Sequence, residues 1–127
     1  MVILLDTSAW IEIFQDTDKG KVVEQIVRNN ETFSSAATFT EIVHWCWRNG
    51  LERRIMDYLD VIKKCSKVLP VSEEICIAAG MLNFERKRIK QKWGMLDSII
   101  LATAQKYGLK IVTKDHDYED LPDTEVL

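Results

Sequence analysis

The chain has 127 residues, 46% of them hydrophobic, and a formal net charge of −3 at pH 7. That size predicts a single domain over residues 1–127, with apolar content enough for a core that needs neither disulfides nor a structural metal. The negative balance excludes a molecule that attracts nucleic acid through its overall charge, so any such binding falls to a local patch. Cys46, Cys65 and Cys76 are separated by 19 and 11 positions, which fits no zinc spacing. They read as small buried or half-buried thiols in a reducing cytosol. No basic stretch precedes the apolar start, so no signal peptide is expected. No apolar run approaches the ~20 residues of a membrane span, and the expected location is cytoplasmic.

Val2–Leu5 is an unalternating apolar run, the pattern of a strand buried on both faces. A short helix follows over Thr7–Phe14, then turn and cap chemistry at Asp16-Thr17-Asp18. A second helix runs to about Asn29 with Val22, Val23, Ile26 and Val27 at helical spacing. Thr32-Phe33-Ser34 is a candidate second strand. A third helix spans Ala36–Asn49, stopped by Gly50. Leu51, Ile55, Leu59 and Ile62 mark a fourth, and the tight link predicts an antiparallel hairpin. Lys67–Pro70 reads as a third strand. Ser72 caps a fifth helix whose first-turn Glu73 and Glu74 suit the helix dipole. That helix turns Ile75, Ala78, Ala79 and Leu82 inward and runs out in a basic segment, Arg86–Lys92. Trp93-Gly94 breaks the pattern, and a sixth helix covers Met95 to Tyr107 before Gly108. Lys110–Thr113 is another buried strand, followed by an acidic loop over Lys114–Asp120 and a last strand at Glu125–Leu127. Strands alternating with helices predict an α/β fold, a three-layer α/β/α sandwich on a mainly parallel sheet.

Four acids stand out. Asp6 and Asp115 each follow a buried strand, at the carboxyl end where open α/β sheets bind ligands. Asp6 is also well placed as an N-cap. Phe39, Ile42, Val43 and Cys46 form the apolar face of the third helix, and Glu41 lies off it with His44, Trp45 and Arg48. Asp97 sits in the first turn of the sixth helix, at the edge of a core face of Leu96, Ile99, Ile100, Thr103 and Tyr107. Brought together, four carboxylates raise one another's pKa values unless a cation lies between them. Oxygen-only ligation selects Mg²⁺ or Mn²⁺, and such a site can activate water for in-line displacement at a phosphodiester.

Leu4-Leu5-Asp6-Thr7-Ser8, Glu41 within Thr38–Ile42, Asp97–Ala104 and Ile111–Tyr118 resemble, in order and spacing, the PIN-domain ribonucleases, and within them the VapC toxins of toxin–antitoxin pairs. The resemblance covers the whole chain. It implies an α/β/α sandwich, Mg²⁺- or Mn²⁺-dependent RNA cleavage, a homodimer and inhibition by a cognate antitoxin. It assigns Asp6, Glu41, Asp97 and Asp115 to the acidic quartet. Thr113 matches a hydroxyl that supports metal-bound water, Ser8 a small polar residue of the cleft. Asp117 is a supporting metal acid able to exchange roles with Asp115. Two positions depart from the pattern: Ser98 stands where Ala is usual, and Tyr118 where Phe is common.

Other signals compete. Glu41-x-x-His44 has the spacing of carboxylate-bridged di-iron bundles, but those need a second copy, and the remaining histidine, His116, lies in a loop. Phosphohydrolases of the haloacid dehalogenase type want a second Asp where Ser8 stands. The basic run contains Arg86, Lys87, Arg88, Lys90 and Lys92, candidates for RNA phosphate contacts, although charge runs at helix ends are commonly just solvated. Trp93 beside it reads either as a ring that stacks on a base or as a core residue covering the helix end, the second reading being favoured. Trp45 and Trp47, off the apolar face, are candidates for a protein interface. The reading is a metal-dependent endoribonuclease. Its rival is a non-catalytic RNA- or protein-binding module on the same fold.

Overall fold

A computed structural model describes residues 1–127. In chain order the elements are β1 (Val2–Leu5), α1 (Thr7–Phe14), α2 (Asp18–Asn29), β2 (Glu31–Ser35), α3 (Ala37–Arg48), α4 (Ile55–Cys65) and β3 (Lys67–Leu69). They continue with α5 (Glu73–Lys87), α6 (Met95–Tyr107), β4 (Lys110–Thr113) and β5 (Thr124–Val126). Single 3-10 turns cover Glu52–Arg54 and His116–Tyr118. The strands form one sheet in the order β3-β2-β1-β4-β5, every neighbouring pair parallel.

Alternation along β1 builds the layers. Ile3 and Leu5 point into a core with Trp10 of α1, Val23 of α2, Ile42 and Cys46 of α3 and Ile62 of α4. Leu4 points the other way, with Ile111, toward Trp93 and toward Ile100, Leu101 and Ala104 of α6. α5 packs outside α6, with Ile75 and Ala79 against Ala102. The result is helix, sheet, helix. β1 lies at the centre, with β2 on one side and β4 on the other. Chain direction across the sheet therefore reverses there, which opens a crevice above the carboxyl ends of β1 and β4.

Several helix ends follow the caps expected of them. Thr17 accepts from the Gly20 N–H at 2.9 Å and Ser72 from the Ile75 N–H at 3.2 Å. Gly50 and Gly108 take the left-handed conformation, at φ 69° and 66°. Gly20 answers a different need. A Cβ there would lie 2.1 Å from the Glu12 carbonyl oxygen, so α1 and α2 touch backbone to backbone.

Some expectations are corrected. β2 is longer than Thr32–Ser34, and a 3-10 turn intervenes before α4 begins at Ile55. β5 starts one residue earlier, at Thr124. Tyr107, the last residue of α6, is exposed rather than core. The rest of α6 is buried well beyond one stripe, with Ser98, Leu101, Ala102 and Ala104 all inside. That helix is clamped between the sheet and α5, so two of its faces are covered. Cys46 is buried, but Cys65 and Cys76 are exposed.

Candidate active site

Asp6 leaves β1 directly into α1. Its Oδ1 accepts from the Ala9 N–H at 3.0 Å and from the Ser8 hydroxyl at 2.7 Å. Its Oδ2 accepts from the Thr113 hydroxyl at 2.5 Å. Asp6 is thus a helix cap and a cleft acid at once. The parallel register explains the third bond. Leu5 lies opposite Val112, and the Asp6 N–H donates to the Val112 carbonyl at 3.2 Å, so the residues that end β1 and β4 meet side by side. Thr113 also accepts from the Asp115 N–H at 3.0 Å, and Ser8 from the Lys114 N–H at 2.9 Å. These hydroxyls tie the two strand ends together.

Glu41 arrives from α3 and accepts from the Thr7 hydroxyl at 2.6 Å. Asp97 arrives from α6. Its Oδ2 accepts from the Gly94 N–H at 2.9 Å, closing the first turn, and its Oδ1 accepts from the Tyr118 hydroxyl at 3.1 Å. Asp115 caps the following 3-10 turn by accepting from the Asp117 N–H at 2.9 Å. Asp6, Glu41, Asp97 and Asp115 line one cavity of about 230 Å³, with Thr7 and Ser8 in its wall. Asp117 does not line it, although its charge reaches Asp97. A larger cleft, about 570 Å³, lies elsewhere, between Met1, Gly108–Lys110 and Leu121–Asp123, and holds one acid, Asp123.

Burial sets the electrostatics. Desolvation raises the Asp6 pKa to about 6, partly opposed by the Thr113, Ser8 and Ala9 hydrogen bonds and reinforced by the charge of Asp97. Glu41 and Asp97 are raised for the same first reason. Asp97 adds its repulsion to Glu41, while Asp115 and Asp117 add theirs to Asp97. Tyr118 is fully buried and strongly raised, so it remains a neutral donor to Asp97.

The donor set fits a hard divalent cation in kind. It is all oxygen, anionic and mutually repelling. No three acids are gathered as a ready-made cage, and their oxygens accept from Thr113, Ser8, Thr7, Tyr118 and backbone N–H groups. An ion held by Asp6, Glu41, Asp97 and Asp115 would compete with those bonds while relieving the repulsion.

The basic run divides. Arg86 is 5% exposed and is no phosphate contact. It forms a two-pronged ion pair with Asp120 at 2.7 and 3.0 Å, donates to the Asp117 carbonyl at 2.6 Å, and lies 4.4 Å over the Trp93 ring. It pins the turn that carries Asp117 and Tyr118, a role the sequence did not disclose. Lys87, Arg88 and Lys92 are exposed and Lys90 half-buried. Trp93 is core, as expected. Trp45 is corrected. It is half-buried, packed on Tyr58 at 6.0 Å and on the core of that face, whereas Trp47 is 64% exposed.

Both departures from the family pattern carry hydrogen bonds. Ser98 accepts from the Trp93 indole N–H at 2.7 Å and donates to Asn83 at 3.0 Å. Tyr118 supplies the donor to Asp97.

Residues 3–123 match the model of the PIN domain family. The chain belongs to that family. Among curated proteins none matches. Solved PIN-fold structures align over nearly the whole chain. A toxin–antitoxin complex from Klebsiella pneumoniae is 22% identical, covers 98% of this chain and 96% of its own, and gives a TM-score of 0.75. VapBC2 from Rickettsia felis, bound to a fragment of its promoter DNA, is 18% identical over 100% and 99%, with a TM-score of 0.78. The sarcin–ricin loop cleaving toxin VapC20 of Mycobacterium tuberculosis is 13% identical over 92% and 91%, at 0.72. At these identities the likeness is one of fold, and the PIN cavity rests on this chain's own residues.

Proposed function

We propose that this PIN-domain protein is a metal-dependent endoribonuclease, the toxin of a toxin–antitoxin pair. One observation carries the reading: acids from four separate elements line a single cavity above β1 and β4. The solved neighbours, toxin–antitoxin complexes and a sarcin–ricin loop cleaving toxin, supply the biological setting. Asp6, Glu41, Asp97 and Asp115 would hold Mg²⁺ or Mn²⁺, with Asp117 as a supporting acid whose charge reaches Asp97. Such an ion, when bound, would supply charge neutralisation and lower the pKa of a water at the scissile phosphodiester.

The chain's own residues do the rest. Thr113 and Ser8 fix the Asp6 carboxylate from two sides, and Tyr118 fixes Asp97. Thr7 orients Glu41. Lys87, Arg88, Lys90 and Lys92 are left to hold the RNA backbone. The protein acts in the cytoplasm as a single domain, forms a homodimer and is inhibited by a cognate antitoxin.

Brief expression in a host followed by sequencing of RNA 5′ ends tests the activity. New ends at defined sites, lost with Asp97→Asn, are expected. Cleavage by purified Asp97→Asn at the wild-type rate would refute the assigned site. Tight RNA binding without any new ends would favour the non-catalytic module.

A further inference from the structure

A second cavity, about 390 Å³, continues from the acidic one. The two share Thr7, Ile11 and Glu41 as a common wall. Beyond that wall the lining changes character, to Thr40, His44, Trp45 and Arg48 of α3, with Leu96 of α6 opposite. Thr40, His44 and Arg48 fall at four-residue intervals and Glu41 and Trp45 at another, so two adjacent rows of one helix lead away from the acids. At about 1.5 Å per residue, Arg48 lies roughly 10 Å along the helix from Glu41.

We infer that this cavity is the subsite for one unpaired nucleotide of single-stranded RNA flanking the cleaved bond, its base against Trp45 and its phosphate on Arg48. The inference rests on the endoribonuclease reading. Trp45 has the needed properties. Its ring is braced by Tyr58 at 6.0 Å, yet the residue is half-exposed and lines the cavity. The Trp10 and Trp93 indoles donate inside the protein, to Ser34 and Ser98. The Trp45 indole makes no such internal bond, so its ring is not committed to the core by a polar contact. Ile11 and Leu96 supply apolar walls for a stacked ring. Arg48 is exposed and takes part in none of the protein's ion pairs. An unpaired guanidinium next to a carboxylate-lined cavity, in a chain of charge −3, is placed for a phosphate. The volume suits one small ligand group rather than the apolar face of a partner helix.

The test is fluorescence anisotropy of a labelled ten-nucleotide single-stranded RNA and of the same sequence as a duplex, both in EDTA so that binding is read without cleavage. Trp45→Leu is expected to weaken single-strand binding by about 5- to 150-fold, the range for one lost base–aromatic stack. His44→Ala with Arg48→Ser, which touches no core residue, is expected to weaken it too and to lower the log–log salt slope by about 0.7. Duplex binding is expected to change little in the Trp45 variant, since a paired base cannot enter. Arg28→Ser, an exposed arginine on α2, serves as control. Unchanged single-strand binding in the His44/Arg48 variant overturns the subsite. So does equal loss on duplex and single strand. So does retained RNA binding together with lost binding of a helical antitoxin-type peptide, which makes the cavity a protein groove. If RNA binding falls as expected but Asp97→Asn still cleaves, the subsite stands and the catalytic assignment fails.

Discussion

Replacing Asp6 by Asn removes a negative charge from a position only 5% exposed, while keeping the shape and one acceptor oxygen. The folded carboxyl titrates at about 6 against 3.8 for an ordinary Asp. The native state therefore holds the proton more tightly than the unfolded chain. Relative to an unshifted acid, its contribution is present below pH ~4 and is lost as the pH rises through about 6. Two pKa units at 1.36 kcal/mol each amount to about 3 kcal/mol of strain at pH 8. Asn retains the cap to Ala9, and its amide can donate to Thr113, but it loses charge-assisted bonds from Ser8 and Thr113. The expected net gain is about 1–3 kcal/mol, or roughly 4–12 °C for a domain of this size. Urea unfolding followed by circular dichroism, from pH 5 to 8.5 in EDTA, reads it directly. Within that range wild-type stability should fall from pH 5 to just above 6, the upper part of the window between 3.8 and about 6, and the variant should lose most of that decline. Saturating Mn²⁺ should raise the wild type by ~2.7 kcal/mol at 100 times the dissociation constant, and the variant by clearly less. A variant no more stable than wild type at pH 8, with the same pH slope, would show that Asp6 carries no burial penalty.

Three further outcomes follow from particular contacts. Arg86→Ala should destabilise by about 2–4 kcal/mol in thermal melts, because it leaves Asp120 and the Asp117 carbonyl without their donor and a void over Trp93. Half of the Asp120 carboxylate is solvated, which keeps the loss below that of a fully buried pair. Tyr118→Phe should leave the melting temperature within a few degrees of wild type. It should lower RNA cleavage about tenfold, through loss of the hydrogen bond that orients Asp97. Trp47→Ala should shift stability by no more than about 0.5 kcal/mol, whereas Trp45→Ala should cost more than 1 kcal/mol because its ring packs on Tyr58. Equal effects at the two tryptophans would contradict their different burial.

Local pattern determined much of this protein by itself. An apolar run such as Val2–Leu5, or the Ile111-Val112 pair of β4, is readable because a doubly covered strand has no solvent face, and each ends where polar chemistry begins, at Asp6 and Thr113. The bounds of α6 follow from Gly108 and from the break at Trp93-Gly94. The acids that share the cavity are readable for the same reason, since they sit at the ends or edges of elements whose ends are marked. What only the tertiary structure decided is which distant groups meet. Arg86 looks like its neighbours in a basic run, and its partner Asp120 lies 34 positions away, so nothing local separates a buried ion pair from a solvated charge. Trp45 lies off the apolar stripe of α3, yet α4 folds over it and brings Tyr58 against its ring. Tyr118 seems a minor variation on Phe until α6 presents Asp97 to its hydroxyl. Helical and strand periodicity report which face a residue occupies on its own element. They carry no information about which other element arrives at that face, because that is set by packing across the sheet.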